Sequence, residues 1–124
     1  MTIEKAIDII DNLKPNQFTD EEKLRWLSIL DGRIKTEIID THADVSEEEI
    51  DTEYNDSTPI DTELLVPYPY DDIYIKWLEA QIDYANGEIA KYNNSFYTFN
   101  DAYSAYDNYY NSKHMPKGTK IKFF

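Results

Sequence analysis

The feature that most constrains this chain is a long apolar stripe behind a proline-rich lead-in. Tyr74, Trp77, Leu78, Ile82, Ala85, Ile89 and Tyr92 follow one another at spacings of three, four and combinations of these. Side chains so spaced share one face of an α-helix, so the pattern predicts five turns of helix with a face to bury. The Pro67-Tyr68-Pro69-Tyr70 run disfavours helix before each proline, and Asp71 and Asp72 complement the positive end of the helix that starts there. Gly87 lies within the stripe. Asn93-Asn94-Ser95 follow it, two asparagines tolerant of left-handed φ and a serine suited to an N-cap, which predicts either a tight turn or a mild kink.

Three further helices are predicted around this one. Thr2 is an N-cap candidate, with Glu4 early in the first turn and Ile3, Ala6, Ile7 and Ile10 on one face; this helix stops near Lys14, before Pro15. Thr19 with Glu22 three residues on fits a capping box, and Phe18 can fold over the first turn. Leu27, Leu30, Ile34 and Ile38 then form a stripe, flanked by Leu24 and Trp26, that places a helix at about 20–40. Gly32 inside it costs roughly 1 kcal/mol relative to alanine, leaving a break or a close helix contact open there, although the periodicity favours continuation. Phe96, Phe99, Tyr103, Tyr106 and Tyr110 define the last helix, or the rest of a bent long one. The expected fold class is all-α: a small bundle of about four helices with a long acidic loop, about 41–67, and an extended C-terminal tail. A helical domain at 1–112 and a basic tail at 113–124 describe the whole chain.

A length of 124 residues suits one core, since a domain of this size buries roughly two-thirds of its unfolded surface without staples. Cysteine is absent, so there is neither a disulfide framework nor a thiolate. No apolar run approaches the ~18 residues of a membrane span, and acids interrupt the first apolar pattern where a signal peptide needs an unbroken one. The expectation is a soluble, intracellular protein. Its formal charge of −13 opposes general nucleic-acid binding. That charge is uneven: Thr41 to Glu63 carry nine acids and no Lys or Arg, whereas Lys113 to Phe124 carry four lysines and no acid. The two can pair or stay solvated within a monomer. In a ring or stack, the basic end of one subunit can instead reach an acidic surface on another. Glu63 to Val66 reads as a short extended piece, and the alternation Lys120, Ile121, Lys122, Phe123 as a tail or an edge strand.

Chemistry finds little support. His42 and His114 lack metal-ligand partners at helical spacing, and Asp44 lies near His42 on no predictable scaffold. Consecutive acids such as Glu47-Glu48-Glu49 usually stay solvated, whereas paired-acid catalysis needs two carboxyls in different environments across a cleft. Asp51, Glu53, Asp56, Asp61 and Glu63 lack the glycine and terminal glutamate of a calcium loop, and the three isolated glycines exclude a phosphate loop. Neither catalysis nor a metal or cofactor is expected. The anomaly is aromatic: eleven tyrosines, with eight aromatic residues crowded between Tyr92 and Tyr110. One stripe of these is core. Tyr92, Tyr97 and Tyr109 do not share that face and suit a subunit interface, where an apolar ring with a polar tip is favoured.

The order of elements, a short N-terminal helix, a Thr19-Asp20-Glu21-Glu22-capped helix and a proline-led helix within residues 69–95, resembles the head-tail connector (neck adaptor) proteins of tailed bacteriophages and prophages. The resemblance covers the whole chain as layout and segment character, with no chemical motif. It implies a homo-oligomeric ring, commonly of twelve subunits, that bridges the portal protein and further neck or tail proteins in the virion neck after a stage in the host cytoplasm. DNA would pass through such a ring without specific binding. By position, Lys117, Lys120, Ile121, Lys122, Phe123 and Phe124 would dock on the portal. The acidic stretch 41–63 is longer than the short joint of such proteins. Charge alone also allows an acidic DNA mimic or inhibitor that fills the basic groove of a host protein.

Overall fold

The computed structural model describes residues 1–42 and 50–114. It is a small all-α bundle of four helices: α1 (Ile3–Leu13), α2 (Asp20–Glu37), α3 (Ile73–Ala85) and α4 (Ile89–Lys113), with one 3-10 turn (Ile39–Thr41) after α2. Contacts across the bundle fix the direction of each helix. Trp77 Nε1 donates to the Trp26 carbonyl and Tyr74 Oη to Asp31, so α2 and α3 run antiparallel. Ser95 meets Asp83 while Phe99 packs on Trp77, so α4 runs back along α3. The Met1 ammonium lies 3.6 Å from Asp71, and Lys14 reaches Asp83, which makes α1 parallel to α3. Direction thus alternates through all four helices. Helix α3 is central and touches each of the others.

Both threonine caps form, whereas the Glu22 side chain of the expected capping box turns to Arg25 at 2.8 Å. Thr2 Oγ1 accepts from the Lys5 amide and Thr19 Oγ1 from the Glu22 amide, each relieving a donor that the first turn leaves unpaired. Phe18 closes edge-on against Trp26, with ring centroids 5.5 Å apart. Helix α2 ends at Glu37, a little before the expected limit, and passes through Gly32 unbroken; a Cβ there would meet Thr52 at an ordinary 3.7 Å. The core takes Ile3, Ala6, Ile7 and Ile10 from α1, Leu27, Leu30 and Ile34 from α2, Ile38 just after it, and Tyr74, Trp77, Leu78 and Ile82 from α3. Phe99, Tyr106 and Tyr110 complete it from α4.

The turn between α3 and α4 departs from the expectation. Asn93, Asn94 and Ser95 lie within α4, and the chain reverses at Gly87, whose φ is +73°. There the Gly87 amide donates to the Tyr84 carbonyl and the Glu88 amide to the Asp83 carbonyl, the paired bonds that close a helix through a left-handed residue. Asparagine tolerates that conformation, but glycine adopts it without a Cβ penalty. Ser95 is no N-cap. It is buried and donates to Asp83, so the tight-turn alternative at 93–95 gives way to a seam between two helices. The stripe therefore contributes to the core only as far as Ile82; Ala85 and Ile89 are exposed and Tyr92 is half-buried. Gly87→Ala is expected to cost about 1–2 kcal/mol through backbone strain alone, since nothing lies within 4 Å of the added Cβ. A urea melt followed by circular dichroism checks this, and an unchanged midpoint would show the turn to be unstrained.

The second half of the acidic loop is structural. The Ile3 amide donates to the Thr62 carbonyl, Glu4 to Ile60 and Leu64 to Met1, with an antiparallel bridge between Thr2 and Glu63. The carbonyls of Ile60 and Thr62 thus cap α1, while the extended piece expected at Glu63 to Val66 pairs with Met1 and Thr2 and sends Leu64 and Val66 into the core.

Candidate functional site

Three polar clusters hold this loop and the helices together. Asp31, fully buried on α2, accepts from Tyr54 Oη, from Tyr74 Oη at 2.6 Å and from the Leu65 amide at 3.2 Å; Tyr74 Oη in turn accepts from the Val66 amide at 2.8 Å. Burial raises the Asp31 carboxyl above its ordinary range, against the pull of these three donors. Burial first, then the Asp31 carboxylate, raises both tyrosine hydroxyls, so each remains a donor. No cation joins this cluster among the described residues. Lys14 and Ser95 meet on buried Asp83, tying α1, α3 and α4. Lys23, also buried, donates to Asp11 at 2.6 Å and to the Phe18 carbonyl at 2.9 Å, tying α2 to α1.

His42 is buried below the end of α4. Its Nε2 lies 2.7 Å from Asn111 Oδ1, its Nδ1 faces the Ile38 carbonyl, and its ring meets Tyr110 edge-on at 4.7 Å. His114 stacks on Tyr110 at 4.0 Å. Both histidines thus take part in the contact that holds the end of α4 against the turn after α2. Among the described residues, no three His, Cys, Asp or Glu side chains are placed to hold a metal ion, and no helix is long and apolar enough to cross a membrane.

The surface divides into three addresses. At the α3–α4 turn, Tyr84 and Ile89 are 68% and 72% exposed. Leu13, 60% exposed, belongs to the same end of the bundle, because its neighbour Lys14 reaches Asp83. Tyr92 lies beside this patch, its ring between those of Tyr84 at 5.2 Å and Phe96 at 5.5 Å. At the opposite end, Tyr109 stacks on Tyr70 at 4.7 Å, next to exposed Tyr68. Tyr97, on α4, is 65% exposed and meets no other ring among the described residues. The expected interface tyrosines therefore do not form one face. At 100° per residue, Tyr97 and Tyr109 sit roughly 140° and 260° around α4 from Tyr92, and Tyr109 lies about 25 Å along it. Lys117, Lys120, Ile121, Lys122, Phe123 and Phe124 lie outside the described residues, as do Asp44 and Glu47-Glu48-Glu49.

The third address was not visible in the sequence. A groove of about 330 Å³ opens between α1, the start of α2 and the loop, with a floor of Ile3, Ile7, Leu24 and Ile60. Its rim carries Glu4, Asp8, Asp20, Glu21 and Asp56, all exposed. None of these five forms an ion pair among the described residues, although Asp11, Glu22, Glu37, Asp40, Asp72 and Asp83 each do. Tyr54, held by Asp31, borders an adjoining hollow that shares Glu21, Leu24, Asn55 and Asp56 with the groove. The buried Asp31 cluster thus sets the position of the outer wall.

Fold and surface together define a small all-α bundle whose distinguishing features are an apolar end, a tyrosine-bearing end and an acid-rimmed groove. No protein-family model, curated protein or solved structure matches the chain.

Proposed function

We propose that this chain is a structural subunit of a phage head-tail connector, forming a homo-oligomeric ring that bridges portal and tail components by protein contacts, without catalysis. The observation that carries this reading is exposed Tyr84 and Ile89 beside half-buried Tyr92, at the end of the bundle that also exposes Leu13. Large apolar and aromatic groups left exposed together suit a subunit contact, and no buried core claims them. The polar clusters support it too. Asp31, Asp83 and Lys23 are committed to bonds that hold the fold, so none stands ready for chemistry in a cleft. The chain would sit in the virion neck, with DNA passing the ring but not bound by sequence.

A second reading, an acidic inhibitor that mimics DNA, is favoured by the five carboxylates along one groove that form no ion pair among the described residues. Native mass spectrometry of the purified chain mixed with the portal protein from its own gene neighbourhood separates the two. The connector reading expects a closed ring of copies on the portal. No portal complex, with a single copy bound to a basic DNA-binding host protein in a parallel mixture, would overturn it in favour of the mimic.

A further inference from the structure

We propose that the acid-rimmed groove on α1 and α2 is the seat for the basic C-terminal segment, Met115 to Phe124, of a second copy of this chain. The groove offers an apolar floor of Ile3, Ile7 and Leu24 beneath carboxylates that have no cation of their own among the described residues. The chain itself contains the complement. Its last ten residues hold Lys117, Lys120 and Lys122, no acid, and the apolar side chains Ile121, Phe123 and Phe124. In an extended segment Ile121 and Phe123 point to one side and Lys120 and Lys122 to the other. A hollow of about 330 Å³ accommodates two such apolar side chains. The lysine stems are long enough to bend over the edge and place their ammonium groups on the carboxylate rim.

The position of the groove favours a neighbour's segment over the chain's own. Helix α4 packs chiefly on α3 and leaves the bundle at the end marked by Tyr110 and His42. The groove is formed instead by α1, the first turns of α2 and the loop, beyond α3 from α4. A tail seated on the next copy is a head-to-tail contact, the type that closes into a ring when the rotation per subunit divides a full turn. The proposal does not rest on the connector reading, because such a chain self-associates whether or not a portal partner exists.

Charge reversal in the full chain tests it. One variant carries Asp8→Lys and Asp56→Lys on the rim, and another carries Lys120→Glu and Lys122→Glu in the tail. Asp8 and Asp56 are exposed and make no side-chain bond among the described residues, so each variant should keep the wild-type helical circular dichroism. Sedimentation velocity at rising concentration should show wild-type self-association that weakens with salt, and a weakening of about tenfold or more in each variant alone. Mixing the two variants should restore association, since each rim then meets a tail of opposite sign. Three outcomes overturn the proposal: a wild-type chain that stays monomeric, variants that associate like wild type, or a mixture that stays monomeric. If only a chain carrying all four reversals regains wild-type compactness, as a monomer, the segment occupies its own groove and the second copy is excluded.

Discussion

Asp31→Ala is expected to lower the unfolding free energy by about 3 kcal/mol. The carboxylate accepts three donors at once, and its removal leaves Tyr54 Oη, Tyr74 Oη and the Leu65 amide without their acceptor. Each buried donor left unpaired costs roughly 1–3 kcal/mol; relief from burying a charge and access of water to half-buried Tyr54 offset part of the sum. Asp31→Asn should cost less, because the tyrosine hydroxyls can rotate to suit an amide. The two proteins should also differ in pH dependence. Burial raises the folded-state carboxyl, so the folded chain holds this proton more tightly than the unfolded one. The stability Asp31 contributes is therefore full below the ordinary aspartate range and is lost as pH rises through the raised folded value. Urea midpoints measured from acid to neutral pH should show the advantage of wild type over Asp31→Asn shrinking as pH increases. A constant difference would mean that the carboxyl is not perturbed.

Trp77→Ala should cost more, about 4 kcal/mol. Trp77 lies on the central helix, packs against Phe99 at 4.9 Å and donates its ring N–H to the Trp26 carbonyl. The substitution therefore opens a cavity where α2, α3 and α4 meet and removes the bond by which the ring N–H ties α3 to a carbonyl of α2. Thermal unfolding should shift down by many degrees and lose cooperativity as α4 loosens from α3. Trp77→Phe keeps most of the volume and should recover more than half of the loss. If alanine and phenylalanine cost the same, the hydrogen bond rather than the packing dominates at this position.

The helices were legible because their stripes repeat locally. Ile3 to Ile10, Leu27 to Ile38 and Phe96 to Tyr110 need only neighbours three and four residues away, and the threonine caps need only the turn that follows. The position of the α3–α4 turn was harder to read, since Gly87 lay inside a continuous stripe while the Asn93-Asn94-Ser95 run offered the turn, and backbone geometry decided for glycine. The buried charges did leave a signal. Lys23 and Asp31 fall four residues either side of Leu27, on the apolar stripe itself, where a charge needs partners. Those partners, Asp11 and the Phe18 carbonyl for Lys23, and Tyr54 and Tyr74 for Asp31, come from other elements. The groove was illegible for the same reason: its floor draws on Ile3, Leu24 and Ile60, three segments with no shared periodicity.

The alternating direction of the four helices gives the subunit a polarity. Met1 and the last turn of α4 lie at one end, with Tyr68, Tyr70 and Tyr109, whereas Leu13, Tyr84 and Ile89 occupy the other. Copies related by a rotation axis all point the same way, so a closed ring of them would have two chemically unlike rims, one greasy and one phenolic and hydrogen-bonding. The lysine-bearing C-terminal segment would follow from the phenolic rim of every copy. Such a ring has a top and a bottom, and a neighbouring assembly could tell them apart without reading any sequence beyond this one.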